Sequence, residues 1–200
     1  MKKYKLTTET LQFAGRTLHR IKAVKDFDSI KAGEFGGWIE NEKNLSQDDN
    51  AWIYGDAMVF DNAEVYDNAE VYGNAKVYGN AEVYGNANVF GNAEVYDNAK
   101  VYGNAEVYGN AKVYGNAAIK GDAKVHDAVD YIVFKNFWSS GRYFTWTSSN
   151  NKWSVGCFYG TGEELIKKAY ADSEKSGREY ERVVRYVESI LADEKKEKSN

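Results

Sequence analysis

Side chains able to act as bases or nucleophiles near neutral pH are few in this sequence: His19, His126 and Cys157. A hydrolytic zinc site built from three imidazoles cannot be assembled from two histidines. Cys157 has no histidine near it in sequence, and its surroundings predict a small core residue in a strand. Glycines are plentiful, yet none sits in a strand–loop–helix context that would cradle a phosphate. Calcium would need several carboxylates converging on one corner, and most candidate corners read Gly-Asn. No metal or cofactor is therefore expected, and His126 is the one residue placed to serve acyl transfer. Carboxylates and phenols are abundant instead. Asp49, Asp56, Asp61, Glu64, Asp67 and Glu70 all precede Lys76, the first base of the central region. Tyr66, Tyr72, Tyr78, Tyr84, Tyr96, Tyr102, Tyr108 and Tyr114 recur at multiples of six. The first group makes an acidic band that repels a phosphate backbone and suits a basic protein surface. The second makes columns of rings that either stack on one another or offer a recognition surface.

Both groups are positioned by one phrase, Gly/Asp-Asn-Ala-x-Val-Tyr, repeated thirteen times from Asp49 to His126 without insertion. Ala and Val two apart share one face of a short strand, and x and Tyr take the other. Gly/Asp-Asn tolerates positive φ and turns the chain before the next strand. Such strands are too short to stand alone, so stacked coils must bury the Ala/Val stripe.

Read from Val, the phrase Val-Tyr-Gly-Asn-Ala-x resembles the hexapeptide repeat of left-handed parallel β-helices, in which three hexads close a triangular coil. The resemblance implies a little over four coils, about 20 Å tall at a ladder spacing of about 4.8 Å. A right-handed helix with irregular coils is the rival that strict sixes disfavour. Three hexads per coil assign Trp52, Glu70, Asn88, Glu106 and Lys124 to one face. Met58, Lys76, Glu94 and Lys112 go to a second, and Glu64, Glu82, Lys100 and Ala118 to the third. The x residues are expected outside. Enzymes of this shape include acyltransferases, which use a coil histidine and extruded loops. The hexads here carry no extruded loop and end in a single histidine.

The flanks read differently. Residues 1–29 form a β-hairpin and cap, residues 30–126 the β-helix, residues 127–192 three strands and two helices, and residues 193–200 a charged tail. Ile39, Leu45 and Ala51 are six apart, which predicts that the register begins ahead of the clean repeats. Tyr131–Phe134, Arg142–Thr147 and Trp153–Phe158 read as strands. Thr161–Glu164 and Ser176–Glu179 match capping boxes for two helices. Tyr180, Val183, Val184, Val187 and Leu191 form a helical stripe. The fold class is mainly β: a left-handed parallel β-helix with an N-terminal hairpin cap and a small C-terminal α+β domain. No apolar run is long enough for a membrane span, no signal pattern follows Met1-Lys2-Lys3, and one cysteine fits a cytoplasmic setting.

Gly15-Arg16-Thr17-Leu18-His19-Arg20-Ile21, Gly36-Gly37-Trp38-Ile39-Glu40, Asn44-Leu45-Ser46, Gly156-Cys157-Phe158 and Gly160-Thr161 together resemble a group of phage and prophage proteins. These join a hexapeptide-repeat β-helix to a small α/β tail. The resemblance implies a phage context in a bacterial cytoplasm and no settled chemistry. The expected function is non-enzymatic binding of a host protein that blocks an antiviral defence, as anti-CRISPR proteins do. A structural phage protein and a tail domain binding small signalling nucleotides are the alternatives. Hexapeptide acyltransfer ranks behind them. A homo-oligomer is expected, because up to eleven rings on a small prism exceed an ordinary apolar patch.

Overall fold

The computed structural model describes residues 2–197 and divides into two compact units, Met1–Tyr131 with Thr147–Asn150, and Ile132–Trp146 with Asn151–Asn200. The first unit is a hexapeptide-repeat β-solenoid. Thirteen two-residue strands run from Trp52–Ile53 to Lys124–Val125. Every third strand pairs in parallel, so that Glu70 pairs with Asn88, Lys76 with Glu94 and Glu82 with Lys100. The three faces carry the residues that the sequence assigns to them, and one of them holds five successive strands. Ala and Val of each hexad are buried; Ala81 and Val83 are both 0% exposed. The corners turn through positive φ, 72° at Gly79 and 60° at Asp61. A Cβ at Gly79 would meet the amide nitrogen of Asp97 at 2.9 Å, so glycine there also permits the close approach of the next coil.

The entrance of the solenoid is closed by the leader. Strands β1 (Tyr4–Phe13) and β2 (Arg16–Ala23) form the expected hairpin, turning at Ala14 and Gly15 with φ of 49° and 76°. Strand β3 (Phe35–Ile39) pairs antiparallel with β2 and parallel with Met58–Val59. The hairpin thus extends one solenoid face into a seven-stranded sheet and belongs to the same unit as the coils. The residues crossing this junction are small for steric reasons. A Cβ at Gly37 would lie 2.5 Å from Ile53 Cγ2 and 2.6 Å from the Ala57 carbonyl.

The early register differs from the expected one. Ile39 and Leu45 occupy the inward Val position, opposite Val59 and Val65. The next such residue is Ile53, opposite Val71, so Ala51 takes the Ala position and this corner holds two extra residues. The longer corner wraps around the chain's start. Lys3 Nζ donates to the carbonyls of Asp49 and Ala51 at 2.8 and 2.9 Å. Gln47 Oε1 accepts the amides of Lys3 and Tyr4. Burial holds the Lys3 ammonium down at about 8. The leader also buries Trp52, an x residue expected outside, against Tyr4 and Phe27.

At the exit, unpaired strand edges meet side chains. Ser149 Oγ accepts the Lys124 amide at 2.8 Å, and Asp130 Oδ2 accepts the His126 amide at 2.7 Å. The Tyr131 hydroxyl donates to the Lys112 carbonyl at 2.8 Å.

A four-stranded sheet in sequence order, Tyr131–Lys135, Tyr143–Thr147, Lys152–Val155 and Phe158–Gly160, lies in the second unit but for its residues Tyr131 and Thr147. The third expected strand is in fact two, because Gly156 turns at φ 57° and Val155 pairs with Phe158 across the turn. Cys157 is therefore exposed on that turn and is not a core residue. Helix α1 (Gly162–Asp172) starts at the expected Thr161–Glu164 capping box. Helix α2 (Glu174–Glu197) starts earlier than expected: Ser173 accepts the Ser176 amide at 3.1 Å, and Ser176–Glu179 lies inside the helix. Tyr180, Val184 and Val187 bury against Phe144, Trp146 and Trp153 as the stripe requires, with Val183 and Leu191 at the margin. The helix runs through most of the expected charged tail; residues 198–200 lie outside the described residues. Among the described residues no helix is long and apolar enough to cross a membrane.

The narrow core makes a sharp expectation. Val83→Asp places an unpaired charge at a fully buried position and should cost about 4 kcal/mol or more in denaturant unfolding, or abolish the cooperative transition. A variant melting like the parent would show that the core tolerates charge.

Candidate functional site

The six carboxylates of the acidic band do not gather on one surface. Glu70 and Glu64 lie on different faces, and Asp56, Asp61 and Asp67 lie at three different corners. Several are already engaged. Asp61 pairs with Arg16, and one of its oxygens accepts the Gly79 amide at 3.2 Å. Asp67 accepts the Gly85 amide at 3.0 Å, and Asp97 does the same for Gly115. Asp49 accepts Ser46 Oγ at 2.9 Å, while Glu70 accepts the Tyr54 hydroxyl at 3.0 Å. A corner aspartate thus supplies the acceptor for an amide one coil above. Asp56, Glu64 and Asp67 are the exposed members of the set.

The rings form three corner columns. Phe60, Tyr78, Tyr96 and Tyr114 stack at centroid spacings of 5.0, 5.0 and 5.2 Å. Tyr66, Tyr84 and Tyr102 stack at 4.8 and 4.7 Å, and Tyr72, Phe90 and Tyr108 at 4.8 and 5.1 Å. Hydroxyls of Tyr66 and Tyr78 reach Glu82 and Glu94. Beside each column runs an asparagine ladder that sequence reasoning missed, having read Asn only as a turn residue. Asn50, Asn68, Asn86 and Asn104 link amide to amide at 3.0–3.1 Å. Asn62–Asn80–Asn98 and Asn74–Asn92–Asn110 do the same. The signal was present in the invariant spacing of Asn along the array.

Two further clusters have the makings of sites. At the last coil, His126 Nδ1 lies 2.6 Å from Asp127 Oδ2, and Asp130 Oδ2 fixes the loop by accepting both backbone amides. The imidazole stands edge-on to Tyr108 and over Gly109, where a Cβ would meet Nε2 at 2.6 Å. A carboxylate holding one ring nitrogen leaves the other as a proton acceptor, the arrangement of a general base. In the second unit, buried Asn136 accepts the amides of Trp138 and Ser139 at 3.0 and 3.1 Å. This turn holds Phe137 and Trp138 out at 72% and 64% exposure. Trp138 lines a concavity of about 440 Å³ with Phe134, Val183 and Tyr186, rimmed by the Glu179–Arg182 pair. Among the described residues no three His, Cys, Asp or Glu converge as metal ligands do.

No protein-family profile matches the chain. The chain is 39% identical over 62 residues to an uncharacterized acetyltransferase, YdcK, of Escherichia coli (strain K12), covering 27% of this chain and 19% of that protein. The chain therefore spans less than a fifth of that relative's length. The match corrects one expectation: a firm exclusion of enzymatic activity, drawn from the scarcity of histidines, does not stand beside a partial likeness to an acetyltransferase.

The ring columns set the alkaline limit of the fold. Burial, reinforced by Glu70, pushes the Tyr54 hydroxyl up to about 12, and burial with Glu94 does the same for Tyr78. Burial also raises Tyr66 and Tyr72. A folded-state pKa above the ordinary 10.0 gives stability that is full below pH 10.0 and lost as pH rises through about 12. Lys3 acts in the opposite sense, adding stability as pH rises from about 8 to 10.5. Thermal melts followed by circular dichroism should therefore turn downward above pH 10.0. Ionised Tyr54 and Tyr78 at pH 10.0 in an intact solenoid, read residue by residue from ring chemical shifts, would contradict this account.

Proposed function

We propose that the protein is a binding module that presents a preorganised surface to a protein partner. The observation that carries this reading is the exposed Phe137–Trp138 turn, pinned by buried Asn136 beside the pocket of Phe134, Val183 and Tyr186. Large aromatic anchors on a fixed backbone bind at low ordering cost and dominate interface energies. The phage-type sequence suggests a host protein as that partner, with interference in an antiviral defence as the consequence. The corner carboxylates are largely occupied within the coils, which shifts the proposed contact from the acidic band to the aromatic turn. The expected homo-oligomer moves with it, since the ring columns sit at three separate corners and do not make one apolar face.

Affinity capture from infected cells distinguishes the surfaces. Trp138→Ser with Phe137→Ser should abolish recovery of the partner, while charge reversal at Glu64, Asp67 and Glu70 should leave it. The opposite pattern would return the site to the acidic band, and recovery of virion proteins alone would favour a structural role. Light scattering on the same double variant reads the oligomer, which should dissociate.

A second reading follows from the partial match to an acetyltransferase and the His126–Asp127 pair. Here His126 takes the proton of an amine or hydroxyl as that group attacks an acetyl thioester. The carbon–sulfur bond breaks, the thiolate leaves, and Asp127 steadies the imidazolium. Incubation with acetyl thioesters and candidate acceptors, read by mass spectrometry, should give acetylated product that His126→Ala abolishes. Product formation unchanged by that substitution would exclude His126 from the step.

A further inference from the structure

The hairpin is basic in an otherwise acidic chain: residues 1–25 hold seven Lys/Arg and one Glu, against a net charge of −4 for the whole. Most of these cations have assigned partners. Lys2 pairs with Glu42, Arg16 with Glu40 and Asp61, and Arg20 with Glu9, while Lys3 plugs the solenoid entrance. Lys5, Lys22 and Lys25 have no ion pair among the described residues, and Lys5 and Lys22 stand out by their placement. These two are cross-strand partners in the register of β1 and β2. Like charges placed directly opposite on a sheet repel, with Cβ atoms about 5 Å apart. A fold retains such a pair at a cost unless something anionic lies between the two ammoniums.

The backbone beside them is opened to fit such a group. The register passes from Leu6 opposite Ile21 to Thr10 opposite His19, so Thr7, Thr8 and Glu9 all face Arg20. This bulge sets extra residues outside the ladder and bends the strand away. The result is a concavity of about 440 Å³ lined by Lys5, Thr7, Thr8, Glu9, Lys22 and Phe35. Glu9, the one carboxylate in the lining, is turned toward Arg20 at 3.6 Å. Phe35 stands 52% exposed at the rim, opposite Lys22 in the β2–β3 register, with the Lys22 ammonium 4.6 Å from its ring centroid. Lys5, Lys22 and Phe35 thus form one row across three strands: two cations, then an apolar ring.

We infer that this bulge pocket binds a small phosphate ester, its phosphate held between Lys5 and Lys22 and its organic group resting on Phe35. The threonine hydroxyls at the bulge supply neutral donors to the remaining oxygens. A polyanionic chain fits less well, because the pocket holds one group and the neighbouring early coils carry six carboxylates before their first lysine.

Titration of the full chain with inorganic phosphate and with phenyl phosphate, followed by backbone amide chemical shifts, tests the site. Both probes should saturate with shifts centred on β1 and β2, and phenyl phosphate should bind more tightly. Lys5→Gln and Lys22→Gln should each weaken both probes by about tenfold. Phe35→Ala should erase only the advantage of phenyl phosphate. Lys100→Gln, whose ammonium pairs with Glu82 on the solenoid, should change nothing. Circular dichroism melts matching the parent establish that these surface variants are folded. Absence of saturation by either probe overturns the inference, as does equal weakening by Lys100→Gln or binding indifferent to both hairpin lysines.

Discussion

Everything in the first unit depends on like residues standing on like residues at the spacing of a parallel β ladder. With eighteen residues per coil, Ala lies on Ala, Val on Val, Asn on Asn and ring on ring. Each contact is weak alone: a ring pair contributes about 1 kcal/mol and an amide hydrogen bond a similar amount. They act together because one coil spacing satisfies all of them. The backbone ladder wants about 4.8 Å, and the stacked rings sit at 4.7 to 5.2 Å. Tyrosine and asparagine at the corners therefore do structural service that compensates for a core made of small side chains.

The same constraint explains what could be read in advance. Face membership, the buried Ala/Val stripe and the pairing of every third hexad follow from a period of six, which leaves no freedom once three strands close a coil. The asparagine ladders were equally determined, yet asparagine has a sufficient local explanation as a turn residue, and that explanation hid the longer-range one. Departures from period were not legible. The two extra residues between Leu45 and Ile53 exist because Lys3 and Tyr4 occupy that corner, a contact more than forty residues apart in sequence. Cys157 reads as core because its neighbours are apolar, and only the Gly156 turn exposes it. Ser176 resembles a helix cap, but Ser173 reaches the open amide first.

The Arg16, Gly36-Gly37-Trp38 and Asn44-Leu45 segments of the leader turn out to be closure chemistry. Arg16 joins Glu40 and Asp61, Gly37 lets β3 approach Ile53, and Asn44 donates to the Asp61 and Ala63 carbonyls. These residues finish a solenoid end whose strand edge and core would otherwise be open. Closure chemistry speaks for architecture, and it leaves function to be argued from other residues.

Those other residues lie where periodicity fails. A perfect array offers the same surface at every coil, and its polar groups are committed to the coil above or below. The groups best placed to meet a ligand stand at interruptions: the β1 bulge with two opposed lysines, the terminal coil where His126 meets Asp127, and the Asn136 turn that holds two aromatic side chains in solvent. Each interruption also has a rigid neighbour to build on, the paired β2 strand, the last ring of a column, or the sheet of the second unit. Rigidity beside irregularity is what fixes a side chain in a conformation useful to a ligand, because the ordering cost is met during folding and not on binding.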